Sequence, residues 1–147
     1  MTEIKGKGAA GERGKPQTAD YQALANFRYT LRKFLEFSGS AAKSVGLTPQ
    51  QHQAMLSIIG APDGQAVTVG FLAERMLLKH HSTVELVDRL VELDLVSRQP
   101  DTADRRKVLL ALTPKGRRLL TKLSTAHLEE LRRIRPVFAE LLERLDV

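Results

Sequence analysis

The residues of this chain whose types could do chemistry are four histidines, some paired carboxylates and a run of basic side chains. His80 and His81 are adjacent, with His52 and His127 far off in sequence. Neighbouring histidines point in different directions on a helix, and no H-x-x-x-H spacing is present, so no metal site is expected. Covalent catalysis has no foothold either. Cysteine is absent, and there is no G-x-S-x-G turn and no phosphate-cradling glycine-rich loop. Ser82 beside two histidines is not a triad signal. Glu129-Glu130 lie in a charge-balanced segment and read as solvated surface. No catalytic residue, no cofactor and no enzymatic activity are expected.

The basic residues carry more information. The net charge is +6, and residues 96–118 alone hold seven basic and two acidic side chains, net +5. Residues 79–95 hold two basic and four acidic ones, net −2. A basic cluster of this kind is the electrostatic footprint of a phosphate-binding surface. A solvated face with a chance excess of charge is the competing reading.

Periodicity supplies the elements that position these residues. Residues 1–19 are rich in Gly and Lys and read as a flexible N-terminal arm. From about Asp20 to Val45 the period is helical, with Leu24, Phe27, Leu31, Phe34, Leu35 and Ala42 on one face and Gly46 ending it. Thr48-Pro49-Gln50-Gln51 opens a second helix: Thr48 caps, Pro49 suits the first position, and Gln51 sits where a capping-box partner belongs. Ala54, Met55, Ile58 and Ile59 form its inner face. Ala61-Pro62-Asp63-Gly64 is a turn, and Ala66-Val67-Thr68 is a short β segment at best. A third helix from about Val69 to Leu77 buries Leu72, Ala73 and Met76.

A fourth helix runs to about Leu93, opened by Lys79, by His80, or by a Ser82–Glu85 capping box. Val84, Val87, Leu90 and Val91 face inward, helped by Leu86 and Leu93. Val96–Gln99 and Lys107–Leu112 read as an antiparallel hairpin with a polar, basic tip. Thr113-Pro114 starts a long helix carrying Leu119, Leu120, Leu123, Leu131 and Ile134. Pro136 breaks it, and a last short helix buries Val137, Phe138, Leu141, Leu142 and Leu145.

The fold class is therefore mainly α with a small β-hairpin wing: a winged helix-turn-helix plus N- and C-terminal dimerisation helices. Residues 20–147 form a single domain, with 47–113 as the winged unit and 20–46 and 114–147 as the dimerisation helices. The fourth helix is net acidic but offers hydrogen-bonding groups to base edges: His80, His81, Ser82, Thr83, Glu85 and Arg89. Arg98, Arg105, Arg106, Lys107, Lys115, Arg117 and Arg118 supply the cations. This division separates base readout from phosphate anchoring. The terminal helices carry more apolar surface than one small core covers, which favours a symmetric dimer.

The stretch Leu47-Thr48…Gln51, Leu72-Ala73, Val87-Asp88-Arg89-Leu90, Leu95-Val96-Ser97-Arg98 and Asp104-Arg105-Arg106…Leu112-Thr113…Gly116 resembles the MarR family of transcriptional regulators. The resemblance covers about residues 21–147, and Asp104 to Gly116 is its most specific part. It implies a homodimer on near-palindromic double-stranded DNA. It also implies repression relieved by a small effector, aromatic or phenolic, held between the dimerisation and DNA-binding regions. It gives Asp104 the task of orienting the wing and sends Arg106, with Arg105, into the minor groove. Where the family often has Gly, this chain has Asp94, which tolerates the left-handed backbone of a helix end at some cost. Arg28, Arg32, Lys43 and His52 are the side chains near the helix junction that could meet an anionic effector, against a plainer reading as surface charge.

No apolar run approaches the ~18 residues of a spanning helix, and the N-terminus lacks a signal-peptide core. No membrane partner is expected, and a cytoplasmic location is. A winged-helix module for protein interaction or nonspecific DNA binding is the alternative function.

Overall fold

The computed structural model describes residues 14–145. Residues 1–13, most of the expected N-terminal arm, lie outside the described residues. Seven elements follow in order: α1 (Thr18–Ser44), α2 (Pro49–Ile59), α3 (Val69–Met76), α4 (His80–Glu92), β1 (Val96–Pro100), β2 (Val108–Leu112) and α5 (Pro114–Leu145).

Local chemistry explains most boundaries. At the start of α1 the Gln17 N–H donates to Asp20 Oδ2 at 2.8 Å. At α2 the capping box forms reciprocally, Gln51 N–H to Thr48 Oγ1 at 3.1 Å and Thr48 N–H to Gln51 Oε1 at 3.0 Å. Thr68 caps α3 through Phe71 N–H at 3.1 Å. Three helices then end in the same way. Leu47 N–H bonds to Ala42 O, Leu78 N–H to Ala73 O and Leu95 N–H to Leu90 O, each at 3.0 Å. This six-to-one closure needs a left-handed residue just before the donor. Gly46 (φ 82°), Leu77 (φ 55°) and Asp94 (φ 58°) fill that place. The left-handed backbone expected of Asp94 is therefore present, and Leu77 adopts it without a glycine's freedom.

β1 and β2 pair antiparallel from Val96 opposite Leu112 to Pro100 opposite Val108. The Ala66–Thr68 segment does not become a strand, but Val67 O accepts from Leu110 N–H at 2.8 Å. That bond fastens the hairpin to the segment ahead of α3. A continuous core runs through the winged unit into α5, built on Leu47, Met55, Ile58, Leu72, Val87, Leu90, Leu95, Leu110, Leu112, Leu120 and Leu123.

α5 corrects the expectation that Pro136 ends a helix, because it is continuous from Pro114 to Leu145 with Pro136 inside. A proline removes the donor for the carbonyl four residues earlier. Here that carbonyl belongs to Arg132, at an exposed position where water can serve it. α1 packs along α5, with the Phe27 and Phe138 rings edge to face at 5.7 Å. Several residues expected inside are exposed instead: Leu24, Leu35, Ile59, Leu93, Leu131 and Leu142. Four of the six lie on the terminal helices, where no described residue covers them.

Candidate nucleic-acid interface

α4 opens at His80 with Lys79 as its N-cap, which makes no side-chain cap. His80, His81, Glu85 and Arg89 are exposed, and Ser82 is half-buried. His81, Glu85 and Arg89 recur every four residues and form one solvent-facing row. Thr83 leaves the set of base readers. It is fully buried, and its Oγ1 donates to Lys79 O at 2.9 Å. It stands on the inner face with Val87 and Leu90 and can reach no base edge.

The wing tip is built by its two aspartates. Asp101 Oδ1 accepts from Ala103 N–H at 2.9 Å. Asp104 Oδ1 accepts from Arg106 N–H at 3.1 Å and Nε at 3.0 Å, and its Oδ2 from Nη2 at 3.1 Å. The result is a two-pronged carboxylate–guanidinium pair whose arginine is 91% exposed while its aspartate is only 29% exposed. The Arg106 hydrogen bonds, aided by the charge of Lys107, hold the Asp104 carboxyl below its ordinary range. It stays ionised wherever DNA binding would be measured. Arg105 and Lys107 are exposed beside it. Arg98 is placed differently from expectation, since its guanidinium is engaged by Asp88 of α4. It ties the wing's first strand to α4 rather than standing free for phosphate.

The junction behind the wing is equally tight. Thr113 N–H bonds to Leu95 O at 3.1 Å, and its Oγ1 donates to Asp94 O at 2.6 Å while accepting from Gly116 N–H at 3.0 Å. Lys115 Nζ donates to Leu93 O at 3.1 Å. A Cβ on Gly116 would overlap the Leu95 carbonyl oxygen. Gly116 is thus the point where α5 touches the backbone between α4 and β1. Arg117 and Arg118 continue the basic surface along α5.

A second feature lies between α1, α2 and α5. A cavity of about 300 Å³ is lined by Phe34, Leu35, Ser38, His52, Gln53, Leu56, Ser124, His127, Leu128 and Leu131. His52 is 2% exposed, and its ring lies 4.8 Å from that of His127. Burial, and then the neighbouring His127, push the His52 pKa below its ordinary value. Of the four side chains named for an effector, only His52 reaches this cavity; Arg28, Arg32 and Lys43 are exposed and do not line it. His127 and Asp88 were missed in the sequence. His127 occupies an apolar stripe position after Leu120 and Leu123, which was its available signal. Among the described residues no cluster of three or more His, Asp or Glu side chains could hold a metal ion, and no helix is long and apolar enough to cross a membrane.

Residues 45–107 match the model of the MarR family. The chain is 39% identical over 66 residues to YsmB of Bacillus subtilis, described as an uncharacterized HTH-type transcriptional regulator. That match spans 45% of this chain and 45% of the relative, so less than half the length of either. A MarR family protein from Bacillus stearothermophilus has a similar structure, with TM-score 0.74 and 23% identity over 90% of this chain and 96% of that one. So does a mutant of Staphylococcus aureus MepR bound to an oligodeoxyribonucleotide, with TM-score 0.66 and 16% identity over 89% and 98%. Residues 45–107, which hold the hairpin and the Asp104–Arg106 wing tip, are thus similar to the MarR family, and the solved MarR family protein shares the helix order and the fold.

Proposed function

We propose that this protein is a sequence-specific DNA-binding transcriptional regulator. It acts as a homodimer on a near-palindromic operator, in the cytoplasm, and represses until a small molecule enters the cavity between α1, α2 and α5. The carrying observation is the wing tip, where Asp104 presents a highly exposed Arg106 beside an acidic reading helix. Minor grooves that are narrow attract an arginine held in this way. His81, Glu85 and Arg89 face the major groove in this reading, and Arg105, Lys107, Lys115, Arg117 and Arg118 supply the phosphate attraction. A MepR mutant that shares the fold is bound to an oligodeoxyribonucleotide, which supports DNA as the partner. The exposed Tyr21, Leu24 and Leu142 near the free ends of α1 and α5 support a partner subunit there.

Fluorescence anisotropy with the flanking intergenic DNA, across a range of salt, tests this reading. Arg106→Ala should weaken binding severely. It should also lower the magnitude of the log-affinity against log-salt slope by about 0.9 for each phosphate no longer neutralised, so by about 2 for a dimer with two wings. Asp104→Ala should weaken binding too, although it removes a negative charge. Tighter binding by a folded Asp104→Ala protein would refute the presenting role of Asp104. Equal affinity of the wild type for intergenic and random DNA would replace this reading with nonspecific binding.

A further inference from the structure

The cavity between α1, α2 and α5 has a specific hydrogen-bonding polarity, set by two histidine tautomers. His127 Nδ1 lies 2.6 Å from Leu123 O, and its Nε2 lies 2.8 Å from Ser38 Oγ. A carbonyl oxygen only accepts, so the neutral His127 ring carries its proton on Nδ1. Nε2 then accepts the Ser38 hydroxyl proton. Both ring nitrogens and the Ser38 proton are thereby committed. His52 is the opposite case. Its Nδ1 is enclosed and has no hydrogen-bond partner. An enclosed N–H without an acceptor is costlier than an enclosed lone pair without a donor. The single proton of the neutral ring therefore sits on Nε2, and because only Nδ1 is enclosed without a partner, the ring's contribution to the cavity lining falls to its Nε2 side. A second proton would leave both a buried charge and an orphaned Nδ1–H.

The remaining lining is apolar apart from Gln53 and Ser124. Among the described residues no Lys, Arg, Asp or Glu lines the cavity, and its titratable groups there are His52 and His127. A carboxylate placed here would lose its hydration with no cation to compensate. A carbonyl oxygen would meet a ready donor at His52 Nε2, and a flat ring would lie among Phe34, Leu128 and Leu131. We propose that this cavity takes an uncharged molecule with a flat apolar body and a carbonyl-type acceptor for His52 Nε2–H, and excludes the matching anion. The inference rests on the ligand-release reading above and replaces the anionic effector with a neutral one.

Benzamide and benzoate share one shape and differ in charge, so they serve as probes of the full-length protein without DNA. Long-range ¹⁵N–¹H spectra of histidine-labelled protein near neutral pH should show His52 protonated at Nε2 and His127 at Nδ1. Benzamide should shift the His52 Nε2 signal and bind at least tenfold more tightly than benzoate by calorimetry. His52→Phe keeps a ring and removes the donor, and should abolish the tenfold preference. A charged or Nδ1-protonated His52, benzoate binding as tightly as benzamide, or no binding of either at millimolar concentration would each overturn the proposal. The tautomer spectra need only the wild type, so they decide the matter even if His52→Phe fails to fold. Loss of operator binding in the anisotropy assay would refute the regulator reading while leaving these readouts intact.

Discussion

Gly116→Ala adds one methyl group and should destabilise the protein by about 2 kcal/mol. The new Cβ would overlap the Leu95 carbonyl oxygen and stand 3.1 Å from its carbon and 3.3 Å from its Cα. Backbone on both sides leaves no flexible side chain to yield. The first turn of α5 must retreat by about 1 Å to restore ordinary contact. That displacement stretches three bonds: Thr113 N–H to Leu95 O, Thr113 Oγ1 to Asp94 O, and Lys115 Nζ to Leu93 O. At about 1 kcal/mol each the loss is about 3 kcal/mol. Better helix propensity of alanine returns up to about 1 kcal/mol. For a domain of this size the net corresponds to a Tm lower by about 4–8 °C. Gly70→Ala is the matched control. Its Cβ would meet only Thr68 Oγ1, at an ordinary 3.7 Å, near the start of α3. It should raise stability by about 0.5–1 kcal/mol. Thermal unfolding followed by circular dichroism compares the two variants directly. Shifts of the same sign and size would show that the α5–Leu95 contact is not the cause.

Four further outcomes follow from other parts of the molecule. Leu77→Gly should stabilise the protein by about 1 kcal/mol in urea titration, because a non-glycine residue pays about 1–2 kcal/mol in the left-handed region and glycine returns part of that as backbone entropy. Leu77 is also 92% exposed, so little packing is forfeited; an unchanged midpoint would refute the strain argument. Because burial lowers the His52 pKa, the unfolded chain takes up that proton first. Stability should be complete above the ordinary histidine value of roughly 6.5. It should fall as pH drops below that value until the folded-state pKa is passed. His52→Phe should flatten this acid-side fall in urea midpoints, and an equally steep fall would assign it elsewhere. Arg89→Ala should relax operator discrimination by about 1–3 kcal/mol for each bidentate base pairing it removes. Thr83→Val should preserve discrimination while lowering stability, and a selective loss of operator affinity in Thr83→Val would return Thr83 to the reading surface.

Sequence reasoning succeeded where the deciding interaction is local and stopped where it is not. The Thr48–Gln51 capping box spans three residues, and its two bonds form as its chemistry requires. The pairing of Asp104 with Arg106 spans only two residues, but the sequence pointed to these two residues through the family resemblance and not through their spacing. Thr83 was misplaced although it stands four residues before Val87 and seven before Leu90, the period of the buried face of α4. Pro136 was misread because tolerance depends on whether the Arg132 carbonyl meets water, a property of the surface rather than of the local pattern. The His52–His127 contact joins α2 to α5, and no periodicity within either helix announces it.

If the protein reads DNA as proposed, the fastening around Leu95 makes α5 a mechanical input to that reading. α4, the wing and the first turn of α5 share the bonds of Thr113, Lys115 and Arg98, so they turn together. His127 stands eleven residues beyond Gly116 on the same helix, at a lever arm of about 17 Å. A tilt of about 5° about the His127 level would carry the wing root sideways by about 1.5 Å over that length. In the proposed homodimer the two displacements would add, changing the span between the reading helices by about 3 Å. That is close to the ~3.4 Å rise of one base pair. In the regulator proposed above, the span along the operator would follow helix tilt at the cavity, with no residue of the reading surface changing its own conformation.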